Sequence, residues 1–346
     1  MLCQFILAMF KHQYISKNVL MLLVKLYVND FESVPLTDHS AECIRNHLEI
    51  IQSTILIPAN AFTLAQSDFF LTILGLIRND KRDLTLQALT ILSAMLPHQK
   101  DLKKSARQHK LIPLLTQLIS SFYPPVMNAA LATLQSLIVT EQSLCSILLD
   151  DRKFLDPIRA LLIYDDTDDY PFSTLSMELI IHIFDHTPSS NERAYLLITM
   201  QCLDSFVAFW EKSSNNLLIL ESVRKIYQWA ERLQKSLKSK EQQYTITQNS
   251  DQTLEFDLSH ILLDDLMELG NDLRYYNDLV KYSNRVQAQR VLQHLIATST
   301  DNSVVRFSQK FLELLQAPHI FARLTTAVEH EAENKRLQDE QKCCVM

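Results

Sequence analysis

The chain has 346 residues, a net charge of −7, 47% hydrophobic residues and only two glycines, Gly75 and Gly270. Average usage would supply about twenty-five glycines, and sheets, tight hairpins and phosphate loops need them wherever φ must be positive. Their scarcity excludes most nucleotide-binding and nucleophile-elbow enzymes, and the acidic balance argues against a nucleic-acid binder. The composition predicts an all-α protein whose turns do without glycine, on a chain longer than the usual single-core limit of about 250–300 residues.

The apolar stretch 1–10 has no basic n-region and no small-residue cleavage site, and it is too short to span a bilayer, so it reads as a first helix. Residues 17–66 hold two or three more helices, including Ala41 to Ile57. His39, Cys43 and His47 recur there four apart. On a helix the outer two lie about 12 Å apart along the axis, so one zinc ion with ligands at about 2.0–2.3 Å cannot bridge all three.

From residue 69 the chain repeats. Phe69 to Ile77, Leu111 to Ile119 and Phe154 to Leu162 are apolar helices, each followed by a polar or proline-marked connector and a second helix. The second helices share one stripe: Leu84, Ala88, Ile91, Leu92 and Met95, then Val126, Ala130, Thr133, Leu134 and Leu137, then Phe172, Ser176, Leu179, Ile180 and Ile183. These positions run i, i+4, i+7, i+8, i+11, one face of an α-helix. A small residue in the second slot lets neighbouring helices approach closely. The period of about 42–46 residues lies in the armadillo/HEAT range. Pro97 ends the first of these helices and Pro188 the third. Between the first two units, Lys100 to Lys110 is the densest basic stretch and reads as a solvated helix end.

Three further patterns invite chemistry. The acidic turn Asp165 to Asp169 lacks the Gly and Glu that an EF-hand places at its sixth and twelfth positions, where Tyr170 and Ser176 stand, so it reads as a solvated turn. His182 and His186 stand four apart, but Ile183 occupies the place where a zinc-hydrolase helix carries its glutamate, and no third ligand is identifiable. Leu263-x-x-Leu266-x-Glu268 matches, as a string, a short motif read by one class of phosphatase 2A regulatory subunits, but Leu262, Leu266 and Leu269 read as one inward face of a helix. No catalytic, cofactor or metal residue is assigned.

After Pro188 the helices lengthen over 191–212, 215–240, 255–298 with breaks, and 301–316, with an exposed loop near 241–252. Residues 317–346 form a charged C-terminal helix that reads as the start of a coiled coil, with Leu324, Val328 and Leu337 as its apolar positions. The six cysteines form no CxxC pair and no Asn-x-Ser/Thr sequon occurs, as expected of a reduced, cytoplasmic protein. The last four residues, Cys343-Cys344-Val345-Met346, satisfy a C-a-a-X box, which makes Cys343 a lipidation candidate and offers a second reading as a prenylated peripheral membrane adaptor.

Ala88-Leu89-x-x-Leu92 and Ala130-Leu131-x-x-Leu134 resemble the second half of an armadillo repeat, which implies a right-handed α-solenoid over 1–316. Ala94 and Ser136 stand in the asparagine slots of that family's peptide-gripping ladder, and Thr90 and Ala132 in its tryptophan slots, so capture in that mode is not expected. Phe69 to Met95 and Ser173 to His186 are similar to the N-terminal armadillo region of the family of the cancerous inhibitor of protein phosphatase 2A. That resemblance implies a non-enzymatic scaffold without cofactor. It further implies a homodimer formed near the C-terminal end and a protein phosphatase 2A regulatory subunit as partner.

Overall fold

In a computed structural model of the chain, the described residues are 22, 25, 38–78, 81–145, 148, 152–186, 203–248, 254–283, 286–316 and 321–345. The helices expected over 1–10 and 191–202 lie outside them. The fold is all-α with one short hairpin, and the chain divides into two compact units, Met1–Thr187 and Pro188–Met346.

The first unit runs through α1 (Asp38–Ile55), α2 (Pro58–Ala65), α3 (Phe69–Ile77), α4 (Arg82–Met95), α5 (Leu102–Gln108), α6 (Leu111–Ile119), α7 (Pro124–Thr140), α8 (Arg152–Leu161) and α9 (Phe172–His186). Prolines set several boundaries. Pro58 and Pro124 open α2 and α7, where a missing N–H leaves no bond unmade. Pro97 sits in the 3₁₀ turn Leu96–His98 that closes α4. Every residue of the three predicted stripes is buried. Helix α4 packs on α1, α3 and α7, α7 on α6 and α9, and α8 on both α6 and α9. Ala88, Ala130 and Ser176, the small second-slot residues, have no exposed surface, as close approach of helices demands.

Polar side chains tie consecutive second helices together. The Thr133 hydroxyl reaches the Leu89 carbonyl at 3.4 Å, and Ser136 reaches that of Ser93 at 3.4 Å. Gln135 Nε2 donates to Glu178 at 3.1 Å. Their sequence separations are 44, 43 and 43 residues. The turns differ from expectation in one respect. Both glycines lie in helices, α3 and α12 below, and neither has positive φ. Among the described residues the left-handed positions are held instead by Asp101, Lys110 and Phe122, at φ of 52°, 52° and 58°. An L-residue there costs roughly 1–2 kcal/mol. Asp101 and Lys110 each precede a buried leucine, Leu102 and Leu111, whose packing holds the sharp reversal in place.

The second unit contains α10 (203–212), α11 (Asn216–Tyr244), α12 (Leu263–Ser283), α13 (Val286–Thr298), α14 (Asn302–Gln316) and α15 (Ala322–Val345). Of the loop expected near 241–252, residues 249–252 lie outside the described residues, and the part before them is ordered. Helix α11 continues to Tyr244, and β1 (Thr245–Gln248) pairs antiparallel with β2 (Leu254–Phe256). The run Thr245-Ile246-Thr247 is β-branched and favours extended pairing over either loop or helix. The core is aromatic. Phe206, Phe209, Tyr276, Phe311 and Phe321 are fully buried, Trp210 meets Phe311 edge-on at 6.5 Å, and Tyr276 meets Phe321 at 5.2 Å. The indole N–H of Trp210 donates to Ser222 at 2.8 Å, so this buried donor is satisfied.

Leu324 and Val328 are buried in this unit on α15, which packs on α12, whereas Leu337 is 48% exposed. Two of the three apolar positions expected to form a coiled-coil seam are thus already occupied within the chain. They point inward because α12 supplies them a closer apolar face.

Candidate interaction surface

Each patterned cluster in the sequence has a place in the structure. The rings of His182 and His186 lie side by side on α9, their centroids 4.2 Å apart and their planes tilted by 32°, and His186 Nδ1 donates to the His182 carbonyl at 2.9 Å. Burial, and then the nearby His186, push the His182 pKa below its ordinary value, against a backbone hydrogen bond with Ile138. The ring is packed into the unit rather than presented to a ligand. Among the described residues no group of three His, Cys, Asp or Glu side chains converges here or elsewhere. His47 and exposed Cys43 fall on α1, while the side chain of His39 lies outside the described residues.

The acidic turn performs a structural task. Asp166 accepts from the backbone N–H of Ser173 at 2.7 Å and of Thr174 at 3.1 Å, and from the Thr174 hydroxyl at 2.6 Å. Its carboxylate therefore satisfies donors that the first turn of α9 leaves open, at the end of the helix where negative charge is favoured. Burial pushes the Cys145 thiol up to about 11, which makes it a poor nucleophile.

The Leu263 string does not form one inward face. Leu266 and Leu269 are buried, but Leu262 is 73% exposed because it precedes the first turn of α12. Leu266, the central residue of the string, is inaccessible to a partner that reads extended peptides. Cys343 falls in the last turns of α15, and its side chain lies outside the described residues.

The surface of the first unit carries two open clefts. One, of about 520 Å³, lies between α1 and the start of α4, where Arg45 pairs with Asp83 at 3.4 Å. Beside it the Arg82 guanidinium covers the Tyr123 ring at 5.1 Å, and the neighbouring Phe122 is 88% exposed. A bulky residue held out in solvent at positive φ is an outlier in two respects. The second cleft, of about 680 Å³, is lined by Asp101, Lys103, Lys104, Arg107, Gln108 and Glu141. Sequence reasoning saw the basic stretch but missed that it folds into a helix of its own, α5. The signal was the pair Leu102 and Ala106, four apart and both buried.

Among the described residues no single helix is long and apolar enough to cross a membrane. The joined pair α2 and α3 is apolar enough, but it bends by 83° between its two helices. No family model matches the chain, and no curated protein does. Solved structures do. The crystal structure of one engineered protein aligns with a TM-score of 0.51 at 13% identity, covering 85% of this chain and 96% of its own. A second engineered protein aligns at 0.49 and 15%, covering 86% of this chain and 68% of its own. The first likeness is one of all-α fold.

Proposed function

We propose that the chain is a non-enzymatic protein-interaction scaffold, an armadillo/HEAT-type α-solenoid that engages protein phosphatase 2A through a regulatory subunit. The observation that carries the repeat reading is the set of three hydrogen bonds between second helices at separations of 43–44 residues. Equivalent positions that meet across neighbouring helices at a constant separation are what a stack of repeats with a continuous core would give, and this supports the reading. The group α5, α6 and α7, two short helices before a long one, supports an armadillo-like unit. Such a stack offers surface rather than a pocket, and the two open clefts with the exposed Phe122 are of that kind. The phosphatase assignment rests on the resemblance of 69–95 and 173–186 alone.

The test is affinity capture from cells with the full chain, read by mass spectrometry. Enrichment of a phosphatase 2A regulatory subunit supports the whole reading. Recovery of other partners without it removes the phosphatase and leaves the scaffold. Deleting the tail from residue 301 would be a poor control, because Phe311, Phe321, Leu324 and Val328 belong to the core of the second unit. A homodimer is part of the same proposal, and light scattering at micromolar concentration should return twice the chain mass. A monomeric mass would remove it.

A further inference from the structure

The basic segment 98–110 is held more firmly than a solvated helix end requires. Gln66 Nε2 donates to the His98 carbonyl at 2.6 Å, and Arg78 donates to the His109 carbonyl at 2.8 Å, so side chains from neighbouring helices pin both ends. The His109 ring also meets Phe70 edge-on at 6.3 Å. Between these anchors Leu102 and Ala106 bury one face of α5, and Lys104, Arg107 and Gln108 are exposed on the other. A seven-residue helix is marginal by itself. Here tertiary contacts and two left-handed residues, Asp101 and Lys110, fix where it starts and stops.

The bases on this face outnumber the acids beside them. Lys100, Lys103, Lys104, Arg107 and Lys110 fall within eleven residues that contain one acid, Asp101. Among the described residues none of these five bases makes an ion pair, whereas Arg45, Arg159, Arg224, Lys240 and Arg290 each hold a carboxylate. Three of the five line the 680 Å³ cleft together with Asp101 and Glu141. The lining thus sets three bases against two acids, an excess of positive charge, and the Glu141 carboxylate also accepts from the Ser143 hydroxyl. In a chain of net charge −7, evolution has many acids with which to neutralise such a cluster, and has placed none of them on α5.

We infer that this cleft is the docking site for an acidic segment of a partner protein, a short run of Asp and Glu side chains received by Lys103, Lys104 and Arg107. This deepens the scaffold reading and rests on it. The cleft is concave and large enough for several side chains, which fits an extended peptide better than a single ion. The acidic remainder of the chain repels extended polyanions such as duplex nucleic acid or an anionic bilayer, while a short segment meets the local positive field alone. Because the helix is already ordered, docking carries little of the entropic penalty that a flexible basic loop would bear.

The experiment uses the full chain and a fluorescein-labelled peptide of Asp, Glu and Ser, read by anisotropy, with the Asn/Gln version of the same peptide beside it. The acidic peptide should bind saturably and the neutral one should not. The double variant K104E/R107E should weaken binding about tenfold, which is about 1.4 kcal/mol spread over two reversed exposed contacts. The double variant K104R/R107K should retain binding, and raising the salt to physiological strength should weaken it. Both variants must keep the wild-type helical circular dichroism, which is expected because both side chains are exposed. Equal binding of the neutral peptide, or no loss in K104E/R107E, would overturn the proposal. So would tighter binding to duplex DNA or to phosphatidylserine vesicles than to the peptide. If cellular capture by K104E/R107E recovers the same partners as wild type, the acidic-segment assignment fails while the scaffold reading stands.

Discussion

Among the buried positions of residues 38–186, small side chains stand where neighbouring helices meet, at Ala88, Ala130, Thr133 and Ser176, and Thr133 and Ser136 bond backbone carbonyls 44 and 43 residues away. Among those of residues 203–345, large rings meet one another, Trp210 on Phe311 and Tyr276 on Phe321. The first arrangement leaves little room for added volume at its small positions. The second depends on large side chains that fill their surroundings. Close packing of small residues is sensitive to added volume, and packing around large rings is sensitive to lost volume. The two units should therefore fail under opposite substitutions.

The largest expected effect is in the second unit. Phe311→Ala removes a buried ring in contact with Trp210 and should destabilise by about 3–5 kcal/mol, read from the tryptophan fluorescence midpoint in urea. In the first unit the opposite change matters. Ala130→Leu forces a larger side chain into a fully buried second slot and should destabilise by about 1–3 kcal/mol, read by circular dichroism. If Ala130→Leu were neutral, the close-approach account of the small slot would be wrong.

Asp166→Ala removes three acceptor contacts at the start of α9 and should lose about 1 kcal/mol, the usual scale for a helix cap. Asp166→Asn, which keeps one acceptor oxygen, should lose less. In the other direction, Gly270→Ala should stabilise the second unit by about 0.5–1 kcal/mol. The added Cβ would meet Val328 Cγ1 at 3.5 Å, an ordinary contact, and the helix would lose its most flexible residue. A loss of stability there would show that α12 and α15 sit closer than that distance implies.

The smallest effect concerns pH. His182 has a lowered pKa in the folded chain, while the unfolded chain takes up the proton near pH 6.5. The unfolded state therefore binds more protons between the two values. Stability is fully present above about pH 6.5 and declines as the pH falls towards the folded value. Thermal midpoints of wild type and His182→Gln measured from pH 8 downwards should diverge in that window. Parallel curves would mean that the ring is protonated equally in both states.

Much of the first unit could be read in the sequence because its signal is periodic. The fifteen stripe positions from Leu84 to Ile183 are all buried, and α3 and α6 begin and end where their apolar runs do. What escaped reading was aperiodic. Helix α5 is only seven residues long, with two apolar positions, too few to register as a stripe. The hairpin at 245–256 is signalled by three β-branched residues next to a long polar helix. Leu262 was assigned to the inward face from spacing alone, although α12 begins one residue later. The left-handed turns were hidden for a different reason. Glycine is the residue that announces them, and here Asp101, Lys110 and Phe122 adopt the geometry under tertiary constraint. The docking cleft was visible only as charge, since concavity is a property of packed helices and has no one-dimensional signature.

Both tryptophans of the chain, Trp210 and Trp229, are buried in the second unit. The molecule thus carries a built-in optical label on one of its halves only. Light emitted at tryptophan wavelengths comes from residues of the second unit and from none of the first. A partner that engages the basic cleft on α5 touches no residue that emits at those wavelengths within its own unit. Intrinsic fluorescence alone, without adding a dye, would then distinguish a contact felt locally from one relayed along the chain.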